Sequence, residues 1–283
     1  MATFKQNTIA LVYDFDLTLS PKPMQEYTIL ATLGKNPKVF WDKCNSETKE
    51  HNADPMLTYM RLLLKEMEIA EKCLYKQGWE NLGKNIEYFK GVEGFFSNIN
   101  DYVKTKFGTK ISVEHYIISA GHKEILNGTS IKKYFKEIFA SKYYFSKKTK
   151  NAEFPTVVVN SAVKTQFLFE INKGTQDING HMDKKDRPVP FSNMLYFGDG
   201  ETDVPCMTIV KKNGGHSMAV HKPNNPKKIY ICKSLLKANR IDYYAPANYS
   251  QNSTLDKRVK LIIDSIGANI LLEKEKFDVR KKL

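Results

Sequence analysis

A short apolar run near the start of the chain, Thr8–Tyr13, leads directly into Asp14-Phe15-Asp16. Six apolar and β-branched residues of this kind predict a buried strand. Residues two apart in an extended chain point the same way, so both carboxylates would face one site beyond the strand. Two like charges that close require a proton or a cation between them. The alternative is an ordinary turn in which both aspartates and an N-capping Thr18 serve only local structure.

Short β-rich runs alternate with helical stretches along most of the chain, which predicts an α/β fold with a Rossmann-like parallel sheet. The predicted strands cover residues 8–13, 114–118, 156–159, 193–197, 217–220 and 241–244. The predicted core helices cover residues 92–106, 123–127, 163–171, 204–211, 226–237 and 255–272. The final residues, 273–283, are highly charged and predict an exposed, partly frayed end.

One segment, residues 23–90, interrupts the alternation with helical signals and no convincing strand. Asp54 followed by Pro55 is typical of a helix start. The apolar residues behind it recur at helical spacing, namely Met56, Leu57, Met60, Leu63, Leu64 and Met67. A helical block between the first and second strands predicts an inserted cap domain over residues 23–90, and a core domain built from residues 1–22 and 91–283.

Two later strand ends carry further polar groups. The predicted strand 114–118 runs into Ser119-Ala120-Gly121, where a hydroxyl and free N–H groups at a helix start suit a phosphate. The strand 193–197 runs into Gly198-Asp199-Gly200, and a second carboxylate, Asp203, follows four residues later. Flanking glycines let the backbone turn tightly beside a ligand. The alternative for the serine segment is a plain strand-to-helix turn, and the alternative for the aspartate segment is a glycine-rich acidic turn.

The segments DFDLT, ISAG, a lysine at a helix start and GDGETD occur in this order, each at a strand end or helix start. In this arrangement the chain resembles the haloacid dehalogenase-like (HAD) superfamily, in particular its phosphatases with a helical cap, such as the phosphoserine phosphatase-like branch. The resemblance covers about residues 8–220 and is strongest at the first and last segments. Lys164 is chosen as the lysine over Lys150 and Lys173 because it begins a helix after a strand.

The resemblance implies phosphate-ester hydrolysis through an aspartyl-phosphate. Asp14 would be the nucleophile, and Asp16 would protonate the leaving oxygen and later accept a proton from water. An acid at the position of Asp16 favours a phosphatase over the dehalogenases and phosphonatases of the superfamily. Ser119, Lys164 and backbone N–H groups such as that of Ala120 would bind the phosphate oxygens.

The resemblance also implies a Mg²⁺ site. Mg²⁺ is a hard cation that prefers oxygen ligands. It would be held by the side chain of Asp14, the main-chain oxygen of Asp16 and the side chain of Asp199, with Asp203 close behind.

The chain carries 44 Lys and Arg residues against 31 Asp and Glu residues, a net charge of +13. This excess favours an anionic partner. Because most of the cations are lysines, a phosphorylated small molecule is favoured over nucleic acid, which stays possible. The densest lysine stretch, residues 131–150, is interpreted as an apolar core face with a solvated lysine face.

Several properties indicate a cytoplasmic globular protein that does not enter a membrane. Hydrophobic residues make up 41% of the chain, enough for a core, but they form no apolar run of about 18 residues. The N-terminus lacks the features of a signal peptide. The cysteines, Cys44, Cys73, Cys206 and Cys232, are scattered and predict reduced thiols. The oligomeric state does not follow from the sequence.

Two other functions remain open: a phosphatase or phosphotransferase on a larger anionic substrate, such as a nucleic-acid end or phosphoprotein, and a non-catalytic binding protein on the same scaffold. Within the cap, Tyr27, Trp41 and Tyr59 are candidates for substrate contact, with packing the better interpretation for Trp41. His122 could contact a substrate or simply begin a helix. The polar segment 172–192 could line the entrance or be a surface excursion, which we favour.

Overall fold

The computed structural model describes residues 3–72 and 74–281. Its strands are β1 (Thr8–Tyr13), β2 (Ser112–His122), β3 (Phe135–Phe145), β4 (Ala152–Val157), β5 (Met194–Gly198), β6 (His216–His221) and β7 (Tyr243–Pro246). They form one seven-stranded sheet in the order β4-β3-β2-β1-β5-β6-β7. All neighbours are parallel except β3 and β4. The predicted α/β fold with a parallel sheet is therefore confirmed.

Helices cover both faces of the sheet. They are α1 (Met24–Tyr27), α2 (Ile29–Leu33), α3 (Pro37–Glu50), α4 (Pro55–Ile69), α5 (Lys76–Leu82), α6 (Val92–Phe107), α7 (Lys123–Asn127), α8 (Lys164–Lys173), α9 (Val204–Lys212), α10 (Pro226–Lys237) and α11 (Thr254–Arg280). In β1, Ile9 and Leu11 pack in the core that contains α6 and α11, whereas Ala10 and Val12 pack in the core that contains α8, α9 and α10. Burial on both faces explains why β1 is continuously apolar.

The order of the strands places one crevice at the centre of the sheet. From β1 the chain first builds outward through β2 and β3, and later outward on the other side through β5, β6 and β7. The direction changes between β1 and β5, and open α/β sheets bind ligands at the carboxyl ends of the strands at such a point. There the N–H of Asp14 donates to the carbonyl of Phe197 at 2.9 Å.

Helices α1–α5, the inserted helices, all lie between β1 and β2. The start of α4 agrees with its prediction, because Asp54 accepts hydrogen bonds from the N–H groups of Met56 and Leu57. The inserted helices share one hydrophobic core with α6 and α11. At the contact between α5 and α7, a Cβ on Gly128 would overlap the carbonyl of Glu80. The division of the chain into a core and a cap domain stays a prediction.

Two parts of the chain differ from the predicted elements. The lysine-rich stretch contains β3, which the predicted strands omit, although Ile138 and Tyr143 do face the core while Lys136 and Lys142 face solvent. The end of the chain is mostly exposed, as predicted, but helix α11 continues to Arg280, so the prediction of a frayed end is wrong up to that residue. Its last turns carry ion pairs at helical spacing, Lys274–Asp278 and Lys276–Glu273, which stabilise the helix. Residues 282 and 283 lie outside the described part of the chain.

The structure also shows where the polar segment 172–192 and the cysteines lie. The polar segment 172–192 ends just before β5 begins, at the edge of the sheet opposite the crevice, which favours a surface excursion. Cys44, Cys206 and Cys232 are free and buried, and Cys73 lies outside the described residues. Within residues 3–72 and 74–281, no helix combines the length and the apolarity needed to cross a membrane.

A buried histidine should make the stability depend on pH. Nδ1 of His115 lies 3.1 Å from the Tyr13 hydroxyl and Nε2 lies 2.9 Å from Oδ1 of Asn100. Burial lowers the pKa of His115 from 6.5 to about 3. Between these values the unfolded chain binds a proton that the folded protein does not, so the free energy of unfolding should fall as the pH drops below 6.5.

For one histidine the slope approaches about 1.4 kcal/mol per pH unit. Denaturant unfolding of His115→Gln between pH 7 and pH 4 should show a shallower dependence on pH than the wild type. The exposed His181 provides a control, because His181→Gln should keep the wild-type slope. Identical slopes for His115→Gln and the wild type would contradict the assignment.

Candidate active site

A tight turn holds the first aspartates at the end of β1. The carbonyl of Phe15 accepts hydrogen bonds from the N–H groups of Thr18, Leu19 and Ser20 in a turn that follows Asp14. Asp14 itself is only 5% exposed. The turn fixes the direction of this carboxylate toward the crevice between β1 and β5.

Asp16 lies on the same turn and is tied to the first inserted helix. Its Oδ1 accepts a hydrogen bond from the N–H of Met24 at 2.8 Å. Burial raises the pKa of Asp16 to about 7, an effect that this hydrogen bond and the charge of Lys164 reduce. A carboxyl group with such a pKa can both donate and accept a proton near neutral pH.

Lys164 joins the first and fourth sequence segments. Its Nζ lies 2.7 Å from Oδ1 of Asp14 and 2.8 Å from Oδ1 of Asp203, and the residue is 2% exposed. Burial lowers the pKa of Lys164, but the charges of the two carboxylates outweigh burial and raise it above its usual value. The buried ammonium group is therefore charged and lies between two carboxylates.

The loop after β5 brings two further carboxylates, Asp199 and Asp203, to Asp14 and Lys164. The N–H of Asp199 donates to Oδ2 of Asp203 at 3.1 Å, and the hydroxyl of Tyr196 donates to its Oδ1 at 2.8 Å. Gly198 has no room for a side chain, because a Cβ there would overlap the carboxylate of Asp203. Asp14, Asp199 and Asp203 each offer a carboxylate oxygen, and these three oxygens lie within 4.8 Å of one another.

Sequence reasoning missed a second lysine at this site. Nζ of Lys228, in the first turn of α10, lies 2.6 Å from Oδ2 of Asp199. The start of α10 could be predicted from Asn225 and Pro226, and a helix that follows β6 begins at the same edge of the sheet as Asp199. The sequence did not distinguish Lys228 from the adjacent Lys227, since only the packing of α10 shows which one faces Asp199.

The charges of the group indicate a site for another cation. Three carboxylates face two ammonium groups, those of Lys164 and Lys228. Burial raises the pKa of Asp14 well above its usual value. The charge of Lys164 lowers this pKa, whereas the charges of Asp203 and Asp199 raise it further. Burial likewise raises the pKa of Asp199. A proton or a divalent cation would relieve the excess negative charge, and oxygen ligands suit Mg²⁺.

The serine segment lies at the same edge, on the neighbouring strand. Strand β2 continues past its predicted end, and Ser119 is fully buried there, with its Oγ accepting a hydrogen bond from the N–H of Gly121 at 3.0 Å. The carbonyl of Ala120 accepts hydrogen bonds from the hydroxyls of Tyr59 and Ser141 at 3.0 and 3.1 Å. In this structure the hydrogen bonds of Ala120 therefore join the segment to α4 and β3.

The inserted helices reach the site through Tyr59. Its hydroxyl bonds to Ala120, and its ring lies 5.7 Å from that of Trp41. Trp41 packs in turn against Phe40 and donates from Nε1 to Oε1 of Glu26 at 3.3 Å. These contacts place Tyr59 beside the serine segment and agree with a packing role for Trp41.

Comparison with known sequences gives a relative but no family. No family model matches the chain. An uncharacterized protein of Borreliella burgdorferi is 28% identical over 275 residues, which cover 89% of this chain and 95% of that protein.

Solved structures extend the comparison. A HAD family hydrolase from Salmonella enterica serovar Typhi aligns with a TM-score of 0.57 and 17% identity, covering 92% of this chain and 72% of that one. A phosphoserine phosphatase in its apo form aligns with a TM-score of 0.52 and 17% identity, covering 90% of this chain and 99% of that one. A phospho-aspartyl intermediate analogue of phosphoserine phosphatase aligns with a TM-score of 0.53, 17% identity and coverages of 91% and 100%. These likenesses confirm the fold that the sequence predicts.

Proposed function

We propose that this chain is a Mg²⁺-dependent phosphatase that hydrolyses a phosphate monoester of a small metabolite through an aspartyl-phosphate on Asp14. The observation that carries the proposal is the group of three carboxylates around the buried Lys164, at the point where the sheet changes direction. A phosphoserine phosphatase of similar fold has a solved structure that represents an analogue of its phospho-aspartyl intermediate. This likeness supports an aspartyl-phosphate on Asp14.

The proposed reaction has two steps. A carboxylate oxygen of Asp14 bonds to phosphorus while the bond from phosphorus to the ester oxygen breaks, and Asp16 gives its proton to that oxygen, which leaves as an alcohol. Water then bonds to the same phosphorus and gives a proton to Asp16, while the bond from Asp14 to phosphorus breaks. Phosphate is released, and both aspartates return to their initial states.

The same residues would bind the metal and the phosphate. Asp14, Asp199 and Asp203 would hold Mg²⁺, which when bound offsets the negative charges that nucleophile and substrate bring together. The ammonium group of Lys164 has three N–H donors, of which two bond to Asp14 and Asp203. The third would donate to a phosphate oxygen, together with the hydroxyl of Ser119.

The enclosure of the site supports a small substrate. Asp14 is nearly inaccessible, and the Tyr59 hydroxyl bonds α4 to Ala120 on the neighbouring strand β2. A site enclosed in this way suits a small ester better than a nucleic-acid end or a phosphoprotein. Salt discriminates between the two substrate classes, because contacts to a phosphate backbone weaken steeply as salt rises, whereas turnover of a small ester should change little.

The proposal is tested by phosphate release from an aryl phosphate and a panel of phosphorylated metabolites, with Mg²⁺ and then with excess chelator. We expect turnover that the chelator abolishes and added Mg²⁺ restores. Folded protein that shows no turnover of any ester with Mg²⁺ present would contradict the proposal and favour a binding role for the scaffold.

Lys228→Met should strengthen Mg²⁺ binding several-fold. The ammonium group of Lys228 lies 2.6 Å from Asp199, so it repels an incoming cation and competes for the same carboxylate. Titration calorimetry of Mg²⁺ into the protein without substrate measures this affinity directly. The neighbouring Lys227 is exposed, and Lys227→Met should leave the affinity unchanged. Weaker Mg²⁺ binding to Lys228→Met would show that the lysine positions Asp199 for the metal instead.

A further inference from the structure

Several buried polar side chains, His122 among them, have atoms without a hydrogen-bond partner among the described residues. Both ring nitrogens of His122, Nε1 of Trp79, Oε1 of Gln25 and Oε2 of Glu124 are buried and have no hydrogen-bond partner among the described residues. Buried polar atoms are nearly always paired, and an unpaired one is costly. Trp79 packs on His122, Glu124 adjoins it through Tyr143, and Gln25 follows Met24, whose Sδ contacts the N–H of His122, so these atoms indicate groups that a ligand satisfies. We call Gln25, Trp79, His122 and Glu124 the His122 cluster.

Aromatic rings enclose the His122 cluster. The ring centroids of Tyr59, Trp79 and Tyr143 lie 5.6, 5.4 and 5.2 Å from that of His122. Glu124 adjoins them, since its Oε1 accepts a hydrogen bond from the N–H of Tyr143 at 3.3 Å. The unpaired atoms therefore lie among the flat apolar surfaces of three side chains.

The His122 cluster adjoins the residue that faces the leaving group. The N–H of Met24 donates to Asp16, and Sδ of Met24 accepts a hydrogen bond from the N–H of His122 at 3.2 Å. His122 also follows the serine segment, which ends at Gly121. In the proposed reaction Asp16 protonates the leaving oxygen, so side chains connected to Asp16 through Met24 would lie on the side of the leaving alcohol rather than the phosphate.

We infer that the His122 cluster binds the leaving alcohol, and that this alcohol is an uncharged compound with several hydroxyl groups. The inference rests on the proposed phosphatase function and specifies its substrate as a polyol or sugar phosphate. The unpaired atoms include donors, such as Nε1 of Trp79, and acceptors, such as Oε1 of Gln25. A hydroxyl group both donates and accepts, so a polyol satisfies both kinds of atom, and its C–H surfaces pack against the rings.

The charges near the cluster favour an uncharged ligand. A substrate carboxylate would be buried beside Glu124 and would need a cation, and the cluster itself contains none. A substrate ammonium group would need a charged Glu124, but burial raises the pKa of that carboxyl group, and the exposed Lys76 and Lys142 only reduce this effect. Burying an unpaired charge is much more costly than burying a hydroxyl group that finds a partner.

The test compares kcat/KM for glycerol and sugar phosphates with that for p-nitrophenyl phosphate, phosphoserine and phosphocholine. The wild type should prefer the polyol phosphates. His122→Phe keeps an aromatic ring at this position and removes both nitrogens, so the ratio of kcat/KM for polyol to aryl phosphate should fall about 10- to 100-fold. Trp79→Phe removes the other unpaired donor and should lower the same ratio. His115→Phe, at another buried histidine of β2, is the control and should keep it.

Binding separates this inference from the proposed function. Calorimetry of the same polyol phosphates with Asp14→Asn, and with Asp14→Asn combined with His122→Phe, requires no turnover. Weaker binding by the combined variant supports the His122 cluster as a binding site even if no ester is hydrolysed. Equal binding by the two proteins, an unchanged ratio in both folded single variants, or a wild-type preference for phosphoserine or phosphocholine would overturn the inference.

Discussion

Asp14→Asn is expected to reduce phosphate release about ten-thousandfold or more while the protein stays folded. An amide oxygen is a poor nucleophile, and without an aspartyl-phosphate neither step of the reaction can proceed. The fold should persist because Lys164 keeps its ion pair with Asp203, 2.8 Å away. The loss of one carboxylate also relieves the excess of negative charge in the site. Steady-state phosphate release and thermal unfolding of the same preparation measure both effects.

The matched control for this variant is Asp242→Asn. Asp242 also forms an ion pair with a lysine, at 2.9 Å from Lys211, but it is not one of the three carboxylates of the candidate site. Its replacement should leave turnover near the wild-type rate. Turnover by folded Asp14→Asn at a tenth of the wild-type rate or more would remove Asp14 as the nucleophile.

Lys164→Met is expected to destabilise the metal-free protein by about 3–5 kcal/mol, the usual cost of leaving buried charges without their partner. The ammonium group is the cation between Asp14 and Asp203, which are both buried. Mg²⁺ should recover part of this loss, because it supplies positive charge to the same carboxylates. Denaturant unfolding with Mg²⁺ and with chelator measures the free energy of unfolding in both states.

For this second variant the control is Lys211→Met. Lys211 pairs with Asp242 and with the carbonyl of Ile241, but its side chain is partly exposed, so its loss should cost about 1 kcal/mol or less and should not respond to Mg²⁺. If Lys164→Met were as stable as Lys211→Met without metal, the buried ammonium group could not be what holds the carboxylates together.

The parts of the fold that the sequence predicted best are those with one strong local signal. Strand β1 agrees with its predicted bounds because burial on both faces makes every position apolar, and the charged Asp14 then marks its end. Helix α10 agrees because Asn225 caps its first turn and Pro226 begins it. The same reasoning predicted that Asp14, Asp199 and Asp203 would lie near one another, since parallel strands deliver their ends to one edge.

Other features depend on contacts that a single sequence does not contain. Strand β3 was missed because lysines and aromatic residues alternate there in a way that also fits a helix, and its pairing with β2 shifts register at two places. The ion pair between Lys228 and Asp199 depends on how α10 packs beside β5. The unpaired nitrogens of His122 have no sequence signal, since only the packing of α4, α5 and β3 around the ring encloses them.

The most direct test of the central claim is to trap the phosphorylated enzyme. The protein is mixed with a phosphate ester that it turns over, quenched in acid during turnover, digested and analysed by mass spectrometry. We expect one phosphoryl group on the peptide that contains Asp14, lost on treatment with hydroxylamine and missing from Asp14→Asn. Phosphate release by the wild type with no phosphorylated peptide at any quench time, or with the label on another residue, would contradict the account.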